Sequence, residues 1–199
     1  DYPLAVQLLE DNAMDTIMQW HTKLVTSWME ALPPEWISQN PKVNFAFAWA
    51  HLFRGDFSQA APYLHRLETI FSEDDIHDPA LQAEWLTLQA ELLSFQGRSE
   101  QSITLVQRAL EIVPEQASYV QGQAYLCLAT THEQMGEYTR AVEVYQKFIW
   151  HERAAGRLVS EISGTAGLAI MALHHGQLHL AFQTALQALD SIERARVAL

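Results

Sequence analysis

The sequence has very little cysteine and no long apolar run. Cys127 is the single cysteine among 199 residues, so an internal disulfide is excluded, and its apolar surroundings are typical of a small core residue in a reducing compartment. No apolar segment approaches the roughly 18 residues of a membrane span; the nearest are 45–53 and 164–173. We therefore expect a cytoplasmic protein without a membrane segment.

Positive charge is also scarce. The chain has 12 lysines and arginines against 24 aspartates and glutamates, which gives a formal net charge of −12. A chain with this net negative charge repels polyanions. Binding to a phosphate backbone also needs clustered basic residues, which are scarce here. We expect no direct binding to nucleic acid and none to anionic membranes.

The motifs of common catalytic sites are missing too. The chain has no G-x-x-x-x-G-K-[ST] phosphate loop and no G-x-S-x-G nucleophile turn. A His-Glu pair at 132–133 begins like a zinc-protease motif, but Gly136 stands where the second histidine is needed. His175 and His179 are separated by Gly176, which breaks the helical face that two metal ligands would share. These absences predict a protein that is not an enzyme and holds no metal or cofactor.

One spacing, by contrast, recurs four times. Glycines lie 42, 39 and 40 residues apart, at Gly55, Gly97, Gly136 and Gly176. Seven residues before each is an alanine, namely Ala48, Ala90, Ala129 and Ala169. Five residues after each is a small residue, namely Ala60, Ser102, Ala141 and Ala181, and two residues after stand Phe57, Ser99, Tyr138 and Leu178. A fixed period of this length is typical of stacked structural repeats.

Each glycine separates two apolar-periodic stretches, as expected of a left-handed residue that ends a helix. The pattern predicts two antiparallel helices per repeat, brought close by the small residues, with the residue two after the glycine filling the corner of the hairpin. Signals for β-strands are nearly absent. We expect an all-α fold, a right-handed superhelix of antiparallel helix hairpins with a period of about 40 residues.

The turns and small positions resemble the tetratricopeptide repeat (TPR) at 54–64, 96–114 and 135–148. HEAT and armadillo repeats have a similar period and are the alternative. We expect one domain, 1–199, with a degenerate first hairpin at about 4–40 and repeats at about 41–77, 78–115, 116–156 and 157–199.

Residues 5–68 resemble the start of the helical sensor domain in MalT-like LuxR-type transcriptional regulators. The match rests on W-M-E-A-L-P at 28–33, N-P-K-V at 40–43, and Ala48-Trp49 followed by Gly55. The family often has glycine at the first turn, where this chain has Trp20 and His21.

The resemblance implies a regulatory module. Such regulators carry an ATPase before the helical array and a helix-turn-helix after it, and the array binds an inducer small molecule or a partner protein that controls self-association. Because the chain begins at Asp1 and ends within a helical pattern, we expect an excised segment of such a regulator. The alternative is a generic TPR adaptor that docks a peptide.

The repeat register also places a candidate inner face on the first helix of each repeat. Its members are Phe45, Trp49, Phe53, Glu84, Glu91, Phe95, Gln123, Thr130, Glu133 and His174. One interpretation is a groove with an aromatic floor and acidic sides, suited to a cationic, hydroxyl-bearing or amide-bearing small molecule or peptide. The other is that the aromatic residues, Trp49 above all, only pack between hairpins.

Overall fold

Helices account for nearly all of the chain, which a computed structural model describes for residues 2–38, 40–73 and 76–198. They are α1 (Tyr2–Met18), α2 (Thr22–Glu30), α3 (Pro34–Ile37), α4 (Pro41–Leu52), α5 (Phe57–Glu73), α6 (Pro79–Phe95), α7 (Ser99–Ile112), α8 (Ser118–Gln134), α9 (Tyr138–Ala154), α10 (Leu158–His174) and α11 (Leu178–Ala198), with a 3-10 turn at Glu115–Ala117. No strand occurs in these ranges, so the predicted all-α class is confirmed. Among the same residues, no helix is long and apolar enough to cross a bilayer.

The chain divides into two compact units, Asp1–Gln82 and Ala83–Leu199. The first contains α1 to α5, the second contains α7 to α11, and the division falls within the first turn of α6. The expectation of one continuous domain over 1–199 stays a prediction.

The turns at the predicted glycines share one backbone geometry. φ lies between 71° and 73° at Gly55, Gly97, Gly136 and Gly176. At Gly136 the glycine amide donates to the carbonyl of Glu133, and the next amide donates to the carbonyl of His132, both at 2.9 Å. This pair of bonds is a Schellman turn, which needs a left-handed residue and so explains the glycine.

Two further turns of this kind escape the predicted spacing. Trp20 has a φ of 64°, and its amide donates to the carbonyl of Ile17 at 2.8 Å. A tryptophan therefore makes the turn of the degenerate first hairpin. Gly156, with a φ of 70°, joins α9 to α10. It lies between two repeats rather than inside one, so the 40-residue period does not include it.

Most of the small residues of the repeat are buried, as close packing of two helices within a hairpin requires. The fully buried ones are Ala48, Ala60, Ala90, Ser102, Ala129 and Ala141. Ala169 is half-buried and Ala181 is 9% exposed, so the last hairpin follows the pattern less strictly. Small side chains allow the helix axes to approach closely, which sets the spacing of each hairpin.

The prediction that the residue two after each glycine fills the corner of its hairpin is wrong for Phe57 and Leu178. Phe57, Ser99, Tyr138 and Leu178 are the first residues of α5, α7, α9 and α11. Side chains in a helix lean toward its N-terminus, so at the first position they project past the helix end. Phe57 and Leu178 are accordingly exposed, and the Tyr138 ring contacts His175 with 4.8 Å between centroids.

In the first unit α4 is the central helix. Every residue from Val43 to Leu52 is buried, and α4 contacts α1, α2 and α5. Asn40 caps its start by accepting a hydrogen bond from the Val43 amide at 3.2 Å, and Pro41 is its first residue. The Asn40 side chain also donates to Glu10 at 2.6 Å. The Asn-Pro pair thus starts α4 and joins it to α1.

In the second unit one core cluster draws on α6 to α10. Its members include Ala90, Val106, Ala124, Leu128, Ala141, Tyr145, Leu168 and Met171. Gly164 and Gly167 of α10 face Phe148 and Tyr145 of α9, and a Cβ at Gly164 would overlap the Phe148 ring. The two glycines therefore let α10 pack directly against the aromatic rings of α9.

Ala129→Trp should destabilise the protein, because Ala129 and Ala141 are fully buried in one cluster that has no room for an indole. Overpacking of this kind costs on the order of 1–3 kcal/mol, and more where the backbone cannot move. Urea unfolding followed by circular dichroism measures the loss. Gln146→Trp, on the exposed face of α9, is the matched control and should leave the midpoint nearly unchanged. Equal midpoints for Ala129→Trp and the unaltered protein would show that the repeat register is wrong.

Gly136→Val should destabilise the protein more than Gly136→Asn. No atom lies within 4 Å of a Cβ built on Gly136, so the cost arises from its φ of 73° and not from a clash. Asparagine tolerates the left-handed region, whereas a β-branched residue does not. Thermal melts of the two variants compare the costs, and indistinguishable melting temperatures would contradict the turn assignment.

Candidate functional site

The aromatic candidates of the first unit form a buried cluster. Phe45 and Trp49 are 1% and 2% exposed. Trp49 stacks on the partly exposed Phe53 with 5.6 Å between ring centroids, and Phe45 meets Phe71 edge-on at 5.9 Å. Rings removed from solvent cannot contact a ligand, so Phe45 and Trp49 are placed as packing residues. This is the alternative that the sequence left open for Trp49.

Three polar candidates of the second unit are engaged within the fold. Glu84 is 2% exposed and accepts a hydrogen bond from the Tyr119 hydroxyl at 2.5 Å. Gln123 is buried as well. The Thr130 hydroxyl donates to the carbonyl of Leu126, one turn earlier in α8, at 3.1 Å. These groups therefore support helix packing and present little to a ligand.

Phe95 and His174 lie at the surface. Each is the last residue of its helix, next to the following turn, and both are exposed. Within the described ranges no three histidine, cysteine or acidic side chains are grouped closely enough to hold a metal ion, so His174 has no partners for a metal site there.

Glu91 and Glu133 both lie close enough to Tyr145 of α9 to act on it through their charges, and Glu133 also contacts it directly. The Tyr145 hydroxyl donates to Glu133 Oε2 at 3.2 Å. Burial, followed by the negative charges of Glu133 and Glu91, holds the pKa of Tyr145 well above its usual value. Burial also raises the pKa of Glu91. Two carboxylates and a phenol hydroxyl from α6, α8 and α9 thus form one acidic cluster, the Glu91–Glu133–Tyr145 site.

Tyr145 is the member of this site that sequence reasoning missed. The repeat register points to the first helix of each repeat, whereas Tyr145 lies on the second helix, nine residues after Gly136. A signal existed in the sequence, since an aromatic residue with a polar end is often buried with its hydroxyl near a hydrogen-bond partner.

Cys127 borders the same site and is chemically inert there. Its side chain is buried and lies 3.9 Å from the Ser102 hydroxyl. Burial and the neighbouring Glu91 carboxylate raise the pKa of the Cys127 thiol well above its usual value. The thiol stays protonated and is a poor nucleophile, so the prediction of a core cysteine is confirmed.

A second polar group, also missed from the sequence, lies at the turn between α8 and α9. His132 Nδ1 is 2.6 Å from Glu137 Oε2, and Arg140 Nη1 donates to Glu137 Oε1 at 2.9 Å. The hydrogen bonds from His132 and then Arg140 lower the pKa of Glu137. With Glu100, Ile103, Gln107 and Met135, these three residues line an open groove of about 480 Å³.

A buried ion pair closes the turn between α9 and α10. Glu152 is 1% exposed, and the Arg157 guanidinium donates to both of its carboxylate oxygens at 2.7 Å. Arg157 also donates to the carbonyl of Ser118 at 3.2 Å. Space for the carboxylate exists only because residue 122 is glycine, since a Cβ at Gly122 would overlap Glu152. The carboxylate and the guanidinium satisfy each other's hydrogen bonds, so this ion pair stabilises the fold and is not a ligand site.

Comparison with known proteins agrees with this architecture. Residues 124–158, which run from α8 to the start of α10, match the tetratricopeptide repeat family. BtubC (BKLC) from P. vanneervenii superposes with a TM-score of 0.61 at 16% identity, covering 95% of this chain and 74% of that one. A Podosopora anserina protein described as a kinesin light chain with nearly identical TPR-like repeats superposes with a TM-score of 0.50 at 16% identity, covering 98% and 96%. The fold is TPR-like.

A regulator also matches in sequence. The HTH-type transcriptional regulator MalT of Serratia proteamaculans (strain 568) is 26% identical over 148 residues, which are 74% of this chain and 16% of the regulator. The chain therefore spans less than a fifth of that relative.

Glu91→Gln should stabilise the protein at neutral pH. Burial raises the pKa of Glu91 in the folded state, so the folded state binds this proton more tightly than the unfolded state does. Stability of the unaltered protein therefore falls as pH rises through that raised pKa, and a glutamine removes the fall. Urea unfolding from about pH 4 to neutral pH measures the difference. The gain should shrink toward acid pH, and the exposed Glu143→Gln should show none. A gain of equal size at every pH would contradict the desolvation of Glu91.

Proposed function

We propose that this chain is a sensor segment similar to the helical arrays of MalT-like LuxR-type regulators, and that it binds an inducer or a partner protein. The observation that carries the proposal is the MalT relative, which matches along 74% of the chain and so extends well past any single repeat. The Asn-Pro pair at residues 40 and 41, one of the resembling motifs, has a defined role as the cap of α4.

The Glu91–Glu133–Tyr145 site is the proposed binding surface. Glu133 is only partly buried and is the member that a ligand can reach. The Tyr145 ring is 4% exposed and the Glu91 carboxyl is desolvated, so these two residues position Glu133 rather than contact the ligand. Carboxylates beside a phenol hydroxyl accept hydrogen bonds from hydroxyl, amide or ammonium groups and repel anions. We infer a ligand of that chemistry, held by binding alone, since no group at the site is activated as a nucleophile. A cytoplasmic location is part of the same proposal.

The alternative function is a generic TPR adaptor that docks a peptide. TPR repeats generally mediate protein–protein interaction, and the match at 124–158 supports this function as directly as the other. The two differ in what surrounds the segment. The regulators that this chain resembles carry an ATPase motif before the helical array and a helix-turn-helix after it. Sequencing the gene on both sides of this segment would show whether either is present.

A thermal-shift screen of the chain tests the binding proposal. Neutral hydroxyl-bearing or amide-bearing compounds and cationic ones should raise the melting temperature, and anionic analogues should not. A ligand at about 100 times its dissociation constant adds roughly 2.7 kcal/mol of stability.

Substitutions then assign the site. Glu133→Ala should abolish the shift produced by a compound found in the screen, and Tyr145→Phe, which removes the hydroxyl that holds Glu133, should reduce it. Glu143→Ala, on the exposed face of α9, is the matched control and should preserve the shift. Stabilisation that is equal in all three variants would place the ligand elsewhere and contradict the proposed surface.

A further inference from the structure

A long apolar groove lies between α1 and α2, away from the Glu91–Glu133–Tyr145 site. Its volume is about 720 Å³, and its walls come from one face of each helix. On α1 the lining residues run from Tyr2 to Thr16, a length of about 21 Å at 1.5 Å per residue. The groove is therefore as long as a helix of four turns.

The walls of the groove are apolar and open to solvent. Tyr2, Leu8 and Leu24 line it and are 48%, 56% and 47% exposed. Its polar members are Asn12, Thr16 and His21. Asn12 donates to the carbonyl of Leu8 and Thr16 donates to that of Asn12, both at 2.7 Å, so these two donors are already used within α1. Contiguous exposed apolar surface of this kind is typical of an interaction site.

This face is separate from the surface that α1 uses to hold the first unit together. The adjacent side of α1 carries Val6, Ala13 and Ile17, all buried, and α4 contacts both α1 and α2. The groove is thus a second apolar face on a helix whose structural contacts are already made.

Acidic residues flank the groove. Asp11 and Asp15 are exposed on α1, one helical turn apart, beside the lining residues Leu8 and Asn12. Residues 2–30 contain four carboxylates, at positions 10, 11, 15 and 30, and one lysine, Lys23. A partner with basic groups next to its apolar stripe would be complementary to this edge.

We propose that the groove between α1 and α2 binds an amphipathic helix of about four turns, supplied by a partner, with an apolar stripe facing Leu8 and Leu24 and basic residues facing Asp11 and Asp15. The length and shape of the groove select a helix, and its acidic edge selects the sign of the partner's charge. The proposal is independent of the function assigned to the Glu91–Glu133–Tyr145 site.

Fluorescence anisotropy tests the proposal, with the whole chain titrated into each of three fluorescein-labelled peptides. The first has leucines at helical spacing with lysines on the flank, the second has the same residues shuffled, and the third has glutamate for lysine. The first should bind saturably, and the other two should bind about tenfold more weakly or worse. Equal binding of the shuffled or the glutamate peptide would overturn the proposal.

The variants replace leucines that are exposed, because such substitutions should leave the fold intact. Leu8→Lys and Leu24→Lys should each weaken the first peptide by about tenfold or more, since they place a charge in the groove. Leu186→Lys, on the exposed side of α11 at 49% exposure, is the matched control and should bind normally. Asp11→Asn with Asp15→Asn should weaken binding less and reduce its salt dependence. Circular dichroism confirms the helix content of every variant.

Other occupants give different results, and each would overturn the proposal. Light scattering that shows self-association, lost in Leu8→Lys, would assign the groove to a second copy of the chain. An apolar dye that binds in a Leu8-dependent way while every peptide fails would assign it to a small molecule. Peptide binding unchanged in Leu8→Lys would place the contact outside the groove.

Discussion

The left-handed turns that end α1, α4, α6, α8, α9 and α10 are the constraint on which the rest of the structure depends. Each turn reverses the chain in the space of a few residues, with one amide bonded three residues back and the next amide five residues back. The reversal fixes which residues of the two helices face each other, so that Ala129 meets Ala141 in one core. A turn of the same geometry at Gly156 then sets α10 against α9.

The same turns also decide where charged groups can be buried. The residue four before the turn glycine and the residue one after it share a backbone hydrogen bond, so their side chains lie close together. At Gly136 these are His132 and Glu137, and at Gly156 they are Glu152 and Arg157; both pairs are in contact. At Gly55 they are His51 and Asp56, where the acid is one methylene shorter. There both ring nitrogens of His51 are buried without a hydrogen-bond partner, and burial lowers its pKa.

Structural features that recur with the sequence repeat could be predicted. Contacts that occur once, between residues far apart in the sequence, could not. The glycines and the small residues recur with a period, so their roles could be inferred without coordinates. The turn at Trp20 was predicted only through the family resemblance, because the residue is not a glycine. The turn at Gly156 was not predicted, because it lies outside the period. Buried charges such as Glu84 and Glu152 look like surface residues in a sequence, because their partners come from a different helix or turn. Tyr145 was missed for the same reason, although it unites the two glutamates that were predicted.

Binding by the acidic cluster at Glu91, Glu133 and Tyr145 is the central functional claim, since most other predicted site residues are engaged in packing. Hydrogen–deuterium exchange of the chain, with and without the compound that stabilises it most, tests the claim most directly. Ligand binding at this cluster should slow exchange in α6, α8 and α9, whose residues form it, and leave α1, α2 and α11 unchanged. Slowed exchange confined to α1 and α2, or absent from α6, α8 and α9 at saturating compound, would contradict it.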